Sequence, residues 1–170
     1  MVFDTTISEI LNVRSQLDQN ILEDAIEVLA NAGRVECYAF GGSAPVAMDG
    51  QHKFFRLKIP SSFISDPHIQ FMSANSLGKD DVVVVISQSG TTSALIDSVK
   101  IVRKSGVKVI GIMPGNTPLA NICDYPLVIN IGDNNRISKP HTSRIAYTAV
   151  IDVLTMGVAQ LKPEAQDHLY

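Results

Sequence analysis

The run Val82-Val83-Val84-Val85-Ile86, entered from Asp81, is followed directly by Ser87-Gln88-Ser89-Gly90-Thr91-Thr92, and no other stretch restricts the possible folds as tightly. Five consecutive β-branched residues have no polar side, so a strand of this kind needs apolar cover on both faces. A helical pattern from Ser93 to Lys104 begins where the hydroxyl-rich stretch ends, and Gly106 stands where a left-handed C-terminal cap belongs. A strand covered on both faces and leading into a helix is the building unit of a parallel sheet with helices on each side.

The rest of the chain repeats that alternation. Apolar residues recur at three- and four-residue spacings over residues 4–32, which predicts two helices, about 4–17 and 20–32. Asp18 or Asn20 is suited to cap the second of them, and Gly33 to close it. Val35 to Phe40 reads as a strand ending in Gly41-Gly42-Ser43, with a helix onward to about Leu57. A weak strand over Ser62–Ser65 and a helix over His68–Ser76 lead to Asp81. After Gly106 come a strand Val107–Ile112, a short helix Pro118–Cys123, a strand Leu127–Ile131 and a long helix Ser143–Leu161. The expected architecture is α/β, a three-layer α-β-α sandwich around a five-stranded parallel sheet of flavodoxin-like type. It forms one domain over residues 1–170, with N-terminal helices 4–32, a sheet core 35–131 and a C-terminal helix 143–161.

Composition narrows the function classes. Apolar residues make up 45% of 170, which excludes a disordered chain, collagen and a disulfide-stapled miniprotein. With 14 basic and 17 acidic residues the net charge is −3, too near neutral for a domain that coats phosphate backbones. Cys37 and Cys123 lie far apart with no CxxC, as expected of two reduced thiols in the cytoplasm. The longest apolar runs are five or six residues, against about 20 for a membrane span, and the N-terminus has no basic-then-apolar leader pattern. His52, His68, His141 and His168 show no metal-ligand spacing, so neither a metal nor a cofactor is expected. The chain reads as a soluble cytoplasmic domain.

Chemistry concentrates at two strand ends. Ser87, Ser89, Thr91 and Thr92 place four hydroxyls within six residues at a helix start, where unpaired N–H groups and partial positive charge attract phosphate. One hydroxyl suffices for a cap, and Gly90 lets the backbone approach a ligand. Gly41-Gly42-Ser43 is a second such loop, with Gly42 and Ser43 positioned to meet the same ligand. The alternatives lack parts: there is no GxGxxG, Gly78-Lys79 lacks the rest of a P-loop, and Ser43 precedes Ala-Pro rather than the glycine of a nucleophile elbow. Lys139, His141 and Arg144 cluster at the start of the last helix as possible anion contacts, whereas most other basic residues fit solvated helix faces.

Gly41-Gly42-Ser43 followed by Ser87-Gln88-Ser89-Gly90-x-Thr92 resembles the sugar isomerase (SIS) domain. Lys53-Phe-Phe-Arg56, Asn116-Thr-Pro-Leu-Ala120, Ser143-Arg-Ile-Ala146 and Val150-Ile-Asp-Val-Leu154 are similar to one branch, the RpiR-type transcriptional regulators, and within it the HexR-like repressors of hexose catabolism. The resemblance covers about residues 18–161. It implies a domain that binds a phosphorylated sugar or sugar acid such as 2-keto-3-deoxy-6-phosphogluconate, with Ser43, Ser87, Ser89 and Thr92 holding the phosphate and hydroxyls. It also implies DNA binding through a helix-turn-helix domain. The 33 residues before the first strand are too few for one, so the DNA-binding domain is expected to be absent from this chain.

SIS domains also occur in aldose–ketose isomerases, which need a base to move a proton between adjacent carbons. No glutamate lies between residues 37 and 163, leaving Asp49, Asp66, Asp97, Asp133 or a histidine for that role. Binding without turnover is therefore favoured over catalysis, with isomerase as the alternative. The apolar stripes of the first helices and of the last helix exceed what one sheet face covers, which predicts a homodimer or higher homo-oligomer.

Overall fold

The computed structural model describes residues 2–132 and 139–166, with the side chains of 139–142 and 166 excepted. Two helices, α1 (Val2–Gln16) and α2 (Gln19–Ala30), precede β1 (Arg34–Tyr38). A 3-10 turn Gly41–Ser43 leads into α3 (Ala44–Arg56), then β2 (Ser61–Ile64), α4 (Pro67–Ala74) and β3 (Asp81–Ile86). There follow α5 (Ser93–Lys104), β4 (Lys108–Met113), β5 (Tyr125–Val128), α6 (Lys139–Leu161) and a short α7 (Pro163–Gln166). The five strands are all parallel in the order β2-β1-β3-β4-β5, as the flavodoxin-like reading requires.

Alternation along the strands feeds two separate apolar cores. Val35, Cys37, Val82, Val84, Ile86, Ile110 and Ile112 face the side covered by α1, α2, α3 and α6. Tyr38, Val83, Val85, Val109 and Met113 face α4 and α5. Over Ser143–Leu161, α6 is long and apolar enough to cross a membrane by length and composition. It packs instead against α1, α2 and α3, with Ala146, Val150, Leu154 and Val158 buried, as a core helix does. Burial pushes the Cys37 and Cys123 thiols up to about 12, so both stay protonated near neutral pH.

Several boundaries differ from the sequence expectation. The last helix begins at Lys139 rather than Ser143, because its first turn is polar and carries Pro140, which needs no intrahelical donor there. The expected helix Pro118–Cys123 is a series of turns, in which Thr117 Oγ1 accepts from Ala120 N at 3.3 Å. The last strand spans Tyr125–Val128 rather than Leu127–Ile131; it lies at the sheet edge, where Pro126 is tolerated. Asn31, not Gly33, ends α2, and Gly33 N donates to Asp80 O at 2.8 Å. The first strand stops at Tyr38 rather than Phe40.

Among the described residues one carboxylate is buried. Glu36 accepts from the Tyr38 hydroxyl at 2.7 Å and from Ser73 Oγ of α4 at 2.7 and 2.8 Å, with Arg34 at 3.8 Å. Arg34 also donates to Asp81 at 2.9 Å, an interaction that raises its pKa. This group fastens α4 to β1.

Candidate functional site

Strand register decides where the two hydroxyl loops meet. Tyr38 of β1 lies level with Val85 of β3, so Phe40 to Ser43 and Ser87 to Thr92 leave the sheet side by side. From there α3 packs in one core and α5 in the other, which opens a crevice between β1 and β3 at the switch point of the sheet. A cavity of about 180 Å³ occupies it, lined by Phe40, Gly42, Ser43, Ile86, Ser87, Gln88, Ser89, Thr92 and Leu95.

The two helices that open on this crevice are capped differently from others. Asp18 caps α2 by accepting from Ile21 N at 3.1 Å, and Asp66 caps α4 by accepting from Ile69 N at 2.9 Å. Ser43 and Thr92 hold the N-cap positions of α3 and α5, and neither makes a side-chain cap hydrogen bond. The first N–H groups of α5 are thus left without a capping side chain, at a terminus carrying roughly half a positive charge; at α3, Ala44 N donates to Gly41 O and Pro45 has no N–H to offer. Ser87 Oγ accepts from Gly90 N at 2.9 Å, and Ser89 Oγ accepts from Thr91 N at 3.2 Å. With backbone N–H groups on their lone pairs, the hydroxyls are left to donate; they lie 3.5 Å apart, so one can donate to the other and leave one proton for a ligand. The arrangement is one of donors, suited to an oxyanion.

Gly90 itself sits behind the loop. Its φ is +66°, and a Cβ there would lie 2.3 Å from Thr117 Oγ1. Leu119 N donates to the Gly90 carbonyl at 3.1 Å, so the loop after β4 braces the hydroxyl loop from beneath.

The crevice therefore gathers Gly42, Ser43, Ser87, Ser89 and Thr92 of the expected residues. Gly90 shapes the loop without lining the cavity, and Thr91 is exposed outside it. Arg144 is exposed and is not among the lining residues. Lys139 and His141 fall in the first turn of α6, and their side chains lie outside the described residues, as does Asp133. Gln88, Phe40 and Leu95 were not singled out from the sequence; the strand register alone brings them in. Buried Tyr147 of α6 was also missed, its hydroxyl 3.5 Å from Ser87 O and its pKa raised by burial. No Asp, Glu, His, Cys, Lys or Arg lines the cavity among the described residues.

The sequence profile of the SIS domain matches residues 28–157. The chain belongs to the SIS domain family. Among its relatives is the Burkholderia thailandensis bifunctional protein glk, 39% identical over 93% of this chain and 25% of that protein. The HTH-type transcriptional regulator HexR of Pseudomonas aeruginosa is 34% identical over 92% of this chain and 55% of that protein. This SIS domain thus spans a quarter to about half the length of those relatives. Among solved folds, Vibrio vulnificus NanR complexed with ManNAc-6P superposes with a TM-score of 0.91 at 20% identity, over 99% of this chain and 64% of that one. The sugar isomerase domain of the Sphaerobacter thermophilus RpiR transcription factor gives 0.85 at 22% identity, over 96% and 90%. At these identities the likeness establishes the fold.

Proposed function

We propose that this SIS domain is the phosphosugar-binding effector domain of an RpiR/HexR-like transcriptional regulator of sugar catabolism. The observation that carries this reading is the crevice itself: two helix N-termini without capping side chains and four hydroxyls around a cavity that, among the described residues, no titratable side chain lines. Those lining residues supply affinity for a phosphate but no proton acceptor for enolisation. Relatedness to HexR, and the phosphosugar in the NanR complex, support the same class of ligand. The ligand is a phosphorylated sugar or sugar acid such as 2-keto-3-deoxy-6-phosphogluconate, bound in the cytoplasm. DNA is contacted only through a helix-turn-helix domain separate from residues 1–170, and Lys139, His141 and Arg144 are proposed anion contacts.

Titration calorimetry with 2-keto-3-deoxy-6-phosphogluconate tests the site. Hydrogen bonds to a charged group contribute roughly 1.5–3 kcal/mol each, so Ser89→Ala is expected to weaken binding about tenfold or more with the melting temperature retained. Wild-type affinity in that variant removes the loop from the site. Catalysis is read separately. Incubation of the chain with the phosphosugars it binds in deuterated water is expected to leave the carbon beside the carbonyl unlabelled. Deuterium incorporation there, lost in His141→Ala, establishes the isomerase reading instead.

The effector domain is proposed to act as a homodimer. The α6 stripe divides in the fold: Ala146, Val150, Leu154 and Val158 are buried, while Ile145, Val153, Met156 and Leu161 stay exposed. Phe3, Ile7 and Leu11 of α1, which packs against α6, are exposed too. Such a face fits a second copy about a two-fold axis. Light scattering at micromolar concentration is expected to give twice the chain mass, and a strict monomer rejects the dimer.

A further inference from the structure

A chain of hydrogen bonds leads from the hydroxyl loop to the N-terminal helix, along elements that binding alone does not require. Thr117 fills the space beside Gly90, and the same loop is fixed at Gly115, whose N–H donates to Asn130 Oδ1 at 3.1 Å. Asn130, two residues past β5, is gripped by α1 from its other side. Gln16 Nε2 donates to Asn130 O at 3.0 Å, while Gln16 Oε1 accepts from Asn130 N at 2.8 Å. One amide side chain thus takes both backbone groups of a single residue, as a neighbouring strand does. Asn12 Nδ2 adds a longer bond to the same carbonyl at 3.4 Å.

Otherwise α1 lies along α6, with most of its apolar residues turned to solvent. Val13 is its only buried residue, and Val2, Phe3, Ile7 and Leu11 are more than half exposed. A 15-residue helix is marginal by itself in water, so it persists through its packing along α6 and the Asn130 grip. A helix that depends on such contacts has two states, docked and undocked.

We infer that anion binding at Ser87–Thr92 and docking of α1 are coupled through Thr117, Gly115 and Asn130. A bound phosphate fixes Gly90 against Thr117 and so holds Asn130 in the position Gln16 grips. Coupling of this kind is reciprocal, so releasing α1 weakens the anion site by the factor that the anion tightens α1. The inference rests on the proposed phosphate site and assigns α1 as the element that reports its occupancy.

Hydrogen exchange and calorimetry on the 170-residue chain test both directions, with 2-keto-3-deoxy-6-phosphogluconate and inorganic phosphate as probes. Saturating probe is expected to slow amide exchange across residues 8–17 as well as 87–93. Gln16→Ala, a change in α1 outside the cavity lining, is expected to weaken probe binding about three- to tenfold, within the range seen for residues along a coupled path. Asn130→Ala removes the bond to Gly115 and is expected to do the same, and the double variant to lose little more than either single one. A structural role alone lowers the melting temperature but leaves the affinity unmoved. Wild-type affinity in Gln16→Ala, or unchanged α1 exchange while 87–93 becomes protected, overturns the coupling and leaves the phosphate site standing. No protection at 87–93 with either probe overturns the phosphate site, and the coupling falls with it.

Discussion

Gly90→Ala is expected to lower the unfolding free energy by about 2–5 kcal/mol and to remove measurable phosphosugar binding. Two costs combine. A left-handed conformation costs a residue with a Cβ about 1–2 kcal/mol, and φ at Gly90 is +66°. Overpacking adds about 1–3 kcal/mol, and here the new Cβ meets the Thr117 Oγ1, Cβ and Cγ2 atoms at 2.3, 2.6 and 2.8 Å. Since Thr117 Cβ itself is in the way, no simple rotamer change relieves the contact. Moving the loop outward instead displaces Ser87 Oγ from Gly90 N and Ser89 Oγ from Thr91 N, the contacts that orient both hydroxyls. Urea unfolding with calorimetry on the same sample measures both effects. A variant as stable and as tight as the wild type would show that the loop does not pack on Thr117.

Glu36→Ala is expected to cost about 3 kcal/mol of stability with little effect on ligand affinity. Truncation leaves the buried Tyr38 hydroxyl without its acceptor and frees Ser73, so α4 loses its polar tie to β1. Glu36→Gln keeps an acceptor oxygen, and the two hydroxyls can rotate to suit it, so about 1 kcal/mol is expected. Denaturant midpoints for the two variants check the order. Equal losses would mean that the full carboxylate, and not a single acceptor oxygen or the side-chain volume, governs the position.

The strands were legible because Val82–Ile86 can exist only where both faces are covered, and the hydroxyl loops because four hydroxyls at one helix start exceed capping needs. What the sequence could not reveal was contact at long range. Glu36 and Tyr38 alternate with Val35 and Cys37, and nothing in that pattern says what the polar positions meet. In the fold those positions are under α4, where Ser73 completes the carboxylate, 37 residues along the chain. The early start of α6 was hidden because apolar periodicity begins only where the helix meets the core, at Ala146 and Tyr147. The turns at Pro118–Cys123 have the composition of a helix but spend Thr117 Oγ1 on Ala120 N and Pro114 O.

The sheet separates two apolar cores, and among the described residues no helix contributes buried residues to both. Along most of its length the strands stand between these layers. The crevice is the exception, because its walls are the start of α3 from one layer and the start of α5 from the other. A phosphate in the proposed site would touch both layers at once, as a rivet passes through a laminate, so its loss would be felt as slip of one layer against the other rather than as a change within either.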